Sequence, residues 1–375
     1  MESIGKFGGV PSAWHFVVAF YFVFAFVAAR FFLDKYIFRV VALFMMSNPL
    51  INFNKLVKML VPAVIMTTDR TCEFYGSIYL TERKSEASEA SQNYLVDIIT
   101  LQGTTQLKLN RKTRALTEKC TESMWKLTYY ATVEFCILAT AYHEPWFKDV
   151  KQYFQGWPDH ELKLPLRLIY MCQCGFYLYS IAALLMWETR RKDFSVMMSH
   201  HIVTVILIAY SYITRYLLLV VAENIEIIVT RIRKLLKKWF FRIGAVILAL
   251  HDASDVFMEA AKIFKYSKIE LGASVCFGLF ALSWLVLRLI FFPFWVIRAS
   301  SYYSYQVLKL SEPYHRGVYY VFNTMLLTLL GFHIYWWKLI CAMIIKQLKS
   351  KGKVGEDIRS GMYSANDWFY SSSDI

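Results

Sequence analysis

The chain has 375 residues, 57% of them from the set Ala, Val, Ile, Leu, Met, Phe, Trp, Tyr and Cys, and only 19% charged. A soluble domain carries about 45–50% apolar residues even with Gly counted, so disorder and an ordinary soluble enzyme are excluded. The 42 Lys and Arg against 28 Asp and Glu give a net charge of +14; in a membrane chain that excess marks cytosolic loops and anionic lipid, and no nucleic-acid partner is expected.

Runs free of Asp, Glu, Lys and Arg occur at Ala13–Ala29, Leu168–Trp187, Phe194–Ile213, Leu271–Leu287 and Gly317–Trp337. Each is long enough to cross a hydrocarbon core ~30 Å thick. Two further candidates carry charge: Met124–Tyr142 holds Lys126 and Glu134, and the stretch from Ile243 to about Lys262 holds Asp252, Asp255 and Glu259. The expected fold is an all-α membrane protein, with about seven transmembrane helices enclosing a polar cavity. Residues 1–43 read as a first anchor kept in the mature protein, 44–116 as an atypical connecting region, 117–345 as the catalytic body and 346–375 as a cytosolic tail. Arg30, Lys35 and Arg39 follow the first span, and Lys346, Lys349, Lys351 and Lys353 follow the last. By the positive-inside rule the N-terminus is lumenal and the C-terminus cytosolic. One segment breaks the rule. Residues 216–239 include Arg231, Arg233, Lys234, Lys237 and Lys238, with Ile225, Ile228, Ile232, Leu235 and Trp239 at helical spacing, which describes a basic amphipathic insertion lying at the interface.

Seven Cys, an odd number, with Cys172 and Cys174 as C-x-C, form neither a disulfide framework nor a metal spacing. The chemistry-bearing residues sit inside spans, where an ionisable group costs ~3 kcal/mol or more and is a functional candidate by default. The fourth span carries Ser199, His200, His201 and Thr204; the fifth carries His251, Asp252, Ser254, Asp255 and Glu259. Helical spacing puts His251, Asp252 and Asp255 on one flank. With a rise of ~1.5 Å per residue, antiparallel packing brings the two sets level in the cytosolic half of the bilayer. Imidazole beside carboxylate suits acyl transfer by a histidine base or nucleophile, with an aspartate orienting it. The same groups can bind zinc or iron, or simply satisfy one another between helices. The other histidines (15, 143, 160, 315 and 333) are scattered without metal-box spacing, so no metal is expected.

ETRRKDFSVMMSHHIVTVILIAYSY, Glu188–Tyr212, resembles the signature of the ceramide synthases, the sphingoid-base N-acyltransferases with a TLC domain. FRIGAVILALHDASDVFMEAAKIFKYS (Phe241–Ser267), ESMWKLTYY (Glu122–Tyr130), YHEPWF (Tyr142–Phe147), LRLIFFPFW (Leu287–Trp295) and HIYWW (His333–Trp337) continue the likeness. The wording is most similar to the plant branch, the Alternaria stem canker resistance-like proteins. The resemblance covers roughly Thr117–Ile358 and the first span. It implies a multi-pass protein of the endoplasmic reticulum that moves a fatty acyl group from acyl-CoA to the amine of a long-chain base, with membrane lipid around it and acyl-CoA as co-substrate in place of a cofactor. It also implies homo- or heterodimers with related synthases. Matched motif to motif, the family's histidine pair falls on His200 and His201 and its aspartates on Asp252 and Asp255, with an acyl-imidazole proposed on His200. Arg190, Arg191 and Lys192 stand where they can hold CoA phosphates or act as positive-inside anchors. Segments 44–114 and 216–239 and the tail Ser360–Ile375 depart from the family pattern, and one or more of them is expected to derive from retained intron sequence or an altered gene model. Two other readings stay open: a non-catalytic TLC-domain lipid-binding or regulatory protein, such as an inactive splice form, and an intramembrane zinc-dependent lipid amide hydrolase.

Overall fold

The computed structural model describes residues 15–47, 111–142, 144–148, 153, 163–188, 191–213, 241–303, 305 and 313–350. Among these, every long element is helical. In chain order they are α1 (His15–Leu33), a π-type turn (Asp34–Phe38), α2 (Arg39–Ser47), α3 (Arg111–Ala141), the short α4 (Pro145–Lys148), α5 (Leu164–Met186), α6 (Phe194–Ile213), α7 (Phe241–Tyr266), α8 (Glu270–Ser283) with π-type continuations (Trp284–Ile297 and Ala299–Tyr303), and α9 (Pro313–Lys349). The interior of the connecting region, the basic insertion at 216–239 and the tail from residue 351 lie outside the described residues.

Five stretches are long and apolar enough to cross a membrane by length and composition: Phe16–Ser47, Leu164–Met186, Phe194–Tyr212, Glu270–Tyr302 and Tyr319–Lys349. The two charged candidates are also helices, within α3 and α7. Their ionisable residues keep them outside that apolar set, so the count of seven rests on these two. Three of the five run well beyond their charge-free cores. The first runs unbroken to Ser47, the fourth passes Arg288 and Pro293 to Tyr302, and the fifth passes Lys338 to Lys349. Pro293 has no N–H to give an i−4 carbonyl, and around it the backbone takes wider π-type turns. Arg288, Phe292 and Val296, four apart, are all buried there.

The chain divides into two compact units. The first comprises Met1–Ala29, Thr128–Phe257 and Phe277–Ile375; the second comprises Arg30–Leu127 and Met258–Cys276. Within the first, α1 meets α5 at Gly175, where an added Cβ would lie 2.6 Å from Phe22 Cβ and 2.7 Å from the Ala19 carbonyl oxygen. Only a glycine allows that approach. Phe26 then packs edge-on against Tyr129 and Phe176, with centroids 5.4 and 5.6 Å away. The other face of α1 presents Phe20, Tyr21 and Phe24 outward, the pattern of a helix facing lipid. Within the second unit, Arg30 Nη1 donates to the Thr121 carbonyl at 2.9 Å, and Lys262 pairs with buried Glu259 at 2.7 Å. Between α7 and α8 the chain turns through Lys268, whose φ of 59° is left-handed, while Ile269 N–H donates to the Phe264 carbonyl at 2.9 Å.

Candidate active site

The candidate site lies wholly in the first unit and draws on α3, α5, α6, α7, the π-type segment after α8, and α9. Helix α6 begins just after Asp193, whose main-chain oxygen accepts from Met197 N–H at 2.9 Å. The Asp193 side chain reaches the last helix. It is buried and accepts from Trp336 Nε1 on α9 at 3.0 Å, tying the start of α6 to the last helix. Arg191 and Lys192 precede it, Arg191 half-buried and Lys192 exposed. Arg190 lies outside the described residues.

Two turns into α6, His200 and His201 are both buried. Among the described residues, neither ring nitrogen of His200 has a hydrogen-bond partner. Its ring stands edge-on to Trp336 with centroids 5.2 Å apart, and 6.4 Å from the ring of His251 on α7. His201 faces Tyr177 at 5.5 Å.

On α7 three functional positions engage three different helices. His251 places Nδ1 2.6 Å from the Ile247 carbonyl and Nε2 2.8 Å from Nε2 of His333 on α9. Asp252, fully buried, accepts from Gln173 Nε2 on α5, and Gln173 Oε1 accepts from the Tyr129 hydroxyl on α3 at 2.9 Å. The other Asp252 oxygen has no hydrogen-bond partner among the described residues. Asp255 pairs with Arg288 Nη2 at 2.9 Å. The same guanidinium donates to the His251 carbonyl at 2.6 Å and lies 3.9 Å from the Trp284 ring, a cation held on an aromatic face.

The sequence put His251, Asp252 and Asp255 on one flank; here Asp252 is bonded to Gln173, Asp255 pairs with Arg288, and His251 meets His333. A helix flank is an arc of about 100°, wide enough for neighbours on it to face different partners. The expectation that His333 is a scattered residue is corrected. It is fully buried and central, and one ring nitrogen from each of His200, His251 and His333 lies within 4.8 Å of the others. Among the described residues, these three can hold a metal ion. The signal for His333 was present in the sequence as an ionisable residue inside a charge-free run. For Gln173 and Tyr129, which are neutral, no such signal existed.

From His251 and Thr204 a cavity follows α6 and α7 to Ser211 and Gly244, closed there by Tyr170. Its ends are seven residues apart on each helix, or about 10 Å. Leu207, Ile208, Ile247 and Leu248 make its walls apolar. The space as it stands admits only water-sized groups, and its apolar lining is one that hydrocarbon enters on widening.

The chain matches the TLC domain over residues 119–238 and 234–342. It is 48% identical over 374 residues to ceramide synthase LOH2 of Arabidopsis thaliana, covering 98% of this chain and 100% of that protein. It is 59% identical over 242 residues to ASC1-like protein 3 of Oryza sativa subsp. japonica, covering 64% and 77%. To ceramide synthase 5 of Homo sapiens it is 32% identical over 257 residues, covering 68% and 57%.

Proposed function

This chain belongs to the ceramide synthase family of TLC-domain membrane proteins, and on that premise we propose that it transfers a fatty acyl group from acyl-CoA to the amine of a sphingoid long-chain base, with His200 as nucleophile or general base. The observation that carries the assignment is the state of His200, a buried imidazole in the histidine cluster whose ring nitrogens have no hydrogen-bond partner among the described residues. A lone pair kept from the protein's own donors is available to a substrate.

As nucleophile, a nitrogen of His200 attacks the thioester carbon, the C–S bond breaks, and CoA leaves as a thiol after taking one proton. The amine of the long-chain base then attacks the acyl carbon, the bond to the imidazole breaks and the amide forms. A base that arrives as ammonium gives up two protons and the CoA sulfur takes one, so one proton leaves the site per turnover. As general base, His200 removes the amine proton while the amine attacks the thioester directly. His201 is the partner in acid–base work. Asp252 and Asp255 orient the site, Asp252 through Gln173 and Asp255 through Arg288, which also holds the His251 carbonyl. Arg190, Arg191 and Lys192, just before α6, receive the CoA phosphates as point charges and forks. This reading places the protein in the endoplasmic reticulum membrane with its N-terminus lumenal and its C-terminus cytosolic, the side from which CoA approaches. It acts as a homodimer or as a heterodimer with a related synthase.

One assay tests the assignment. Microsomes containing the protein or its His200→Ala variant receive acyl-CoA and sphinganine, with a parallel ceramide-cleavage reaction, each with and without chelator. Amide formation that requires His200 and survives chelation is the expected outcome. No product from either protein identifies a non-catalytic TLC-domain chain, and chelator-sensitive cleavage identifies a metal-dependent amide hydrolase.

A further inference from the structure

His200, His251 and His333 come from three helices, α6, α7 and α9, yet one nitrogen of each falls within 4.8 Å of the others. The hydrogen bonding of this trio does not close on itself. The Ile247 carbonyl 2.6 Å from His251 Nδ1 can only accept, so Nδ1 carries the proton and Nε2 keeps its lone pair. That lone pair points at His333 Nε2, 2.8 Å away. A proton on His333 Nε2 makes the contact a hydrogen bond and leaves Nδ1 a fully buried acceptor; a proton on Nδ1, toward the Arg288 backbone, leaves two lone pairs facing each other across 2.8 Å. Neither ring nitrogen of the buried His200 beside them has a hydrogen-bond partner among the described residues. Buried polar atoms in native proteins are nearly always satisfied, so with either tautomer the cluster calls for a missing partner that takes one nitrogen from each ring.

We propose that His200, His251 and His333 form a binding site for a divalent transition-metal ion of the zinc type, and that its occupancy inhibits acyl transfer. Three neutral imidazoles with an open fourth position are a usual zinc ligand set, whereas Mg²⁺ and Ca²⁺ require oxygen ligands. With Zn–N near ~2.1 Å, tetrahedral ligands stand ~3.4 Å apart, so the trio reaches bonding distance through rotamer-scale shifts. The Ile247 carbonyl already orients His251 in the manner of outer-shell partners of metal-bound histidines. A bound ion occupies a nitrogen of His200 and thereby withdraws it from the reaction. The inhibitory effect rests on the acyl-transfer reading above; the binding site does not.

The test uses full-length protein in nanodiscs, first stripped with chelator. Equilibrium dialysis with Zn²⁺ is expected to give one ion per chain, and Co²⁺ to give the intense visible bands of a tetrahedral nitrogen site. His251→Asn and His333→Asn should each weaken binding by at least about tenfold. In parallel, Zn²⁺ should suppress acyl transfer by the unmodified protein over its binding range, with chelator restoring it. A buried His→Asn change can unfold the chain, so unmodified protein carries a second measurement: bound Zn²⁺ should shield His200, His251 and His333 from acylation by diethyl pyrocarbonate, read by peptide mass spectrometry. Absence of the cobalt bands, binding undiminished in both variants, or equal labelling with and without Zn²⁺ each overturns the site. Binding without loss of acyl transfer overturns the inhibitory role. Spectra, dialysis and labelling need no substrate, so they decide the site even in a protein without acyl-transfer activity.

Discussion

Arg288 and Asp255 form an ion pair of 2.9 Å in which the arginine side chain is only 3% exposed. The guanidinium has further ties, to the His251 carbonyl at 2.6 Å and to the Trp284 ring at 3.9 Å. One cation thus fixes the carboxylate on α7 and the backbone of the histidine one turn earlier. Removing either partner leaves a charge in a low-dielectric surrounding.

Asp255→Asn should destabilise the protein by ~3–5 kcal/mol, since it strands the buried guanidinium, and Arg288→Met by less, since Asp255 is only half-buried. Together they should cost much less than the sum, because the double variant strands neither. A double-mutant cycle by thermal unfolding in detergent measures this, and additive losses would refute the pairing. Acyl transfer should stay low in all three variants, as none keeps the His251 backbone tied to Asp255.

Gln173 donates to the Asp252 carboxylate and is itself held by the Tyr129 hydroxyl. Gln173→Leu therefore removes the donor to Asp252 and the acceptor for Tyr129 together, while Tyr129→Phe removes only the outermost link. The first should lower kcat by roughly 100-fold if Asp252 must be held in place, equivalent to about 3 kcal/mol. The second should cost about 1 kcal/mol of stability and little rate. Steady-state kinetics with both variants checks the order; equal rates for both would remove Gln173 from the site.

Much of this site was legible because membranes penalise ionisable residues. His200, His201, Asp252 and Asp255 stood out as polar groups in apolar runs, and the helical period alone put His251 and the aspartates on one flank of α7. What the sequence could not convey was partnership. His251 and His333 are 82 residues apart, and no local period links them. Gln173 and Tyr129 are neutral, so nothing in their spans marks them. Nothing local names Asp255 as the partner of Arg288, and Pro293 does not by itself prescribe π-type backbone. Segments 48–110 and 216–239, which the sequence reading set apart, fall outside the described residues.

Trp336 donates its indole N–H to the buried Asp193 carboxylate across 3.0 Å, joining α9 to the start of α6. Trp336→Phe keeps a ring against His200 but removes that donor. Loss of a hydrogen bond to a charged group should cost ~1.5–3 kcal/mol. Because Arg191 and Lys192 adjoin Asp193, the loosened helix start should raise KM for acyl-CoA more than it lowers kcat. Kinetics with acyl-CoA varied at saturating sphinganine reads the split; a pure kcat effect would instead put the role of Trp336 at the His200 ring.

Gly244→Ala tests how tightly the far end of the cavity is closed. In an ordinary helix interior this change stabilises by ~0.5–1 kcal/mol. Here the new methyl would collide with the Tyr170 hydroxyl and lie 3.1 Å from Tyr170 Cζ and 3.3 Å from Ser211 Oγ. Tyr170 is fully buried and cannot swing aside cheaply. The sign should therefore reverse, to a loss of ~1–3 kcal/mol from overpacking. Tyr170→Phe removes the colliding oxygen, so adding it to Gly244→Ala should recover most of the loss. The displaced ring should also shorten the apolar cavity that begins at His251, so kcat/KM for the longest acyl-CoA accepted should fall more than for shorter ones. Thermal unfolding of the single and double variants and competition between acyl-CoAs of graded length measure both effects. A stabilised Gly244→Ala protein with unchanged chain preference would mean that Tyr170 does not close this cavity.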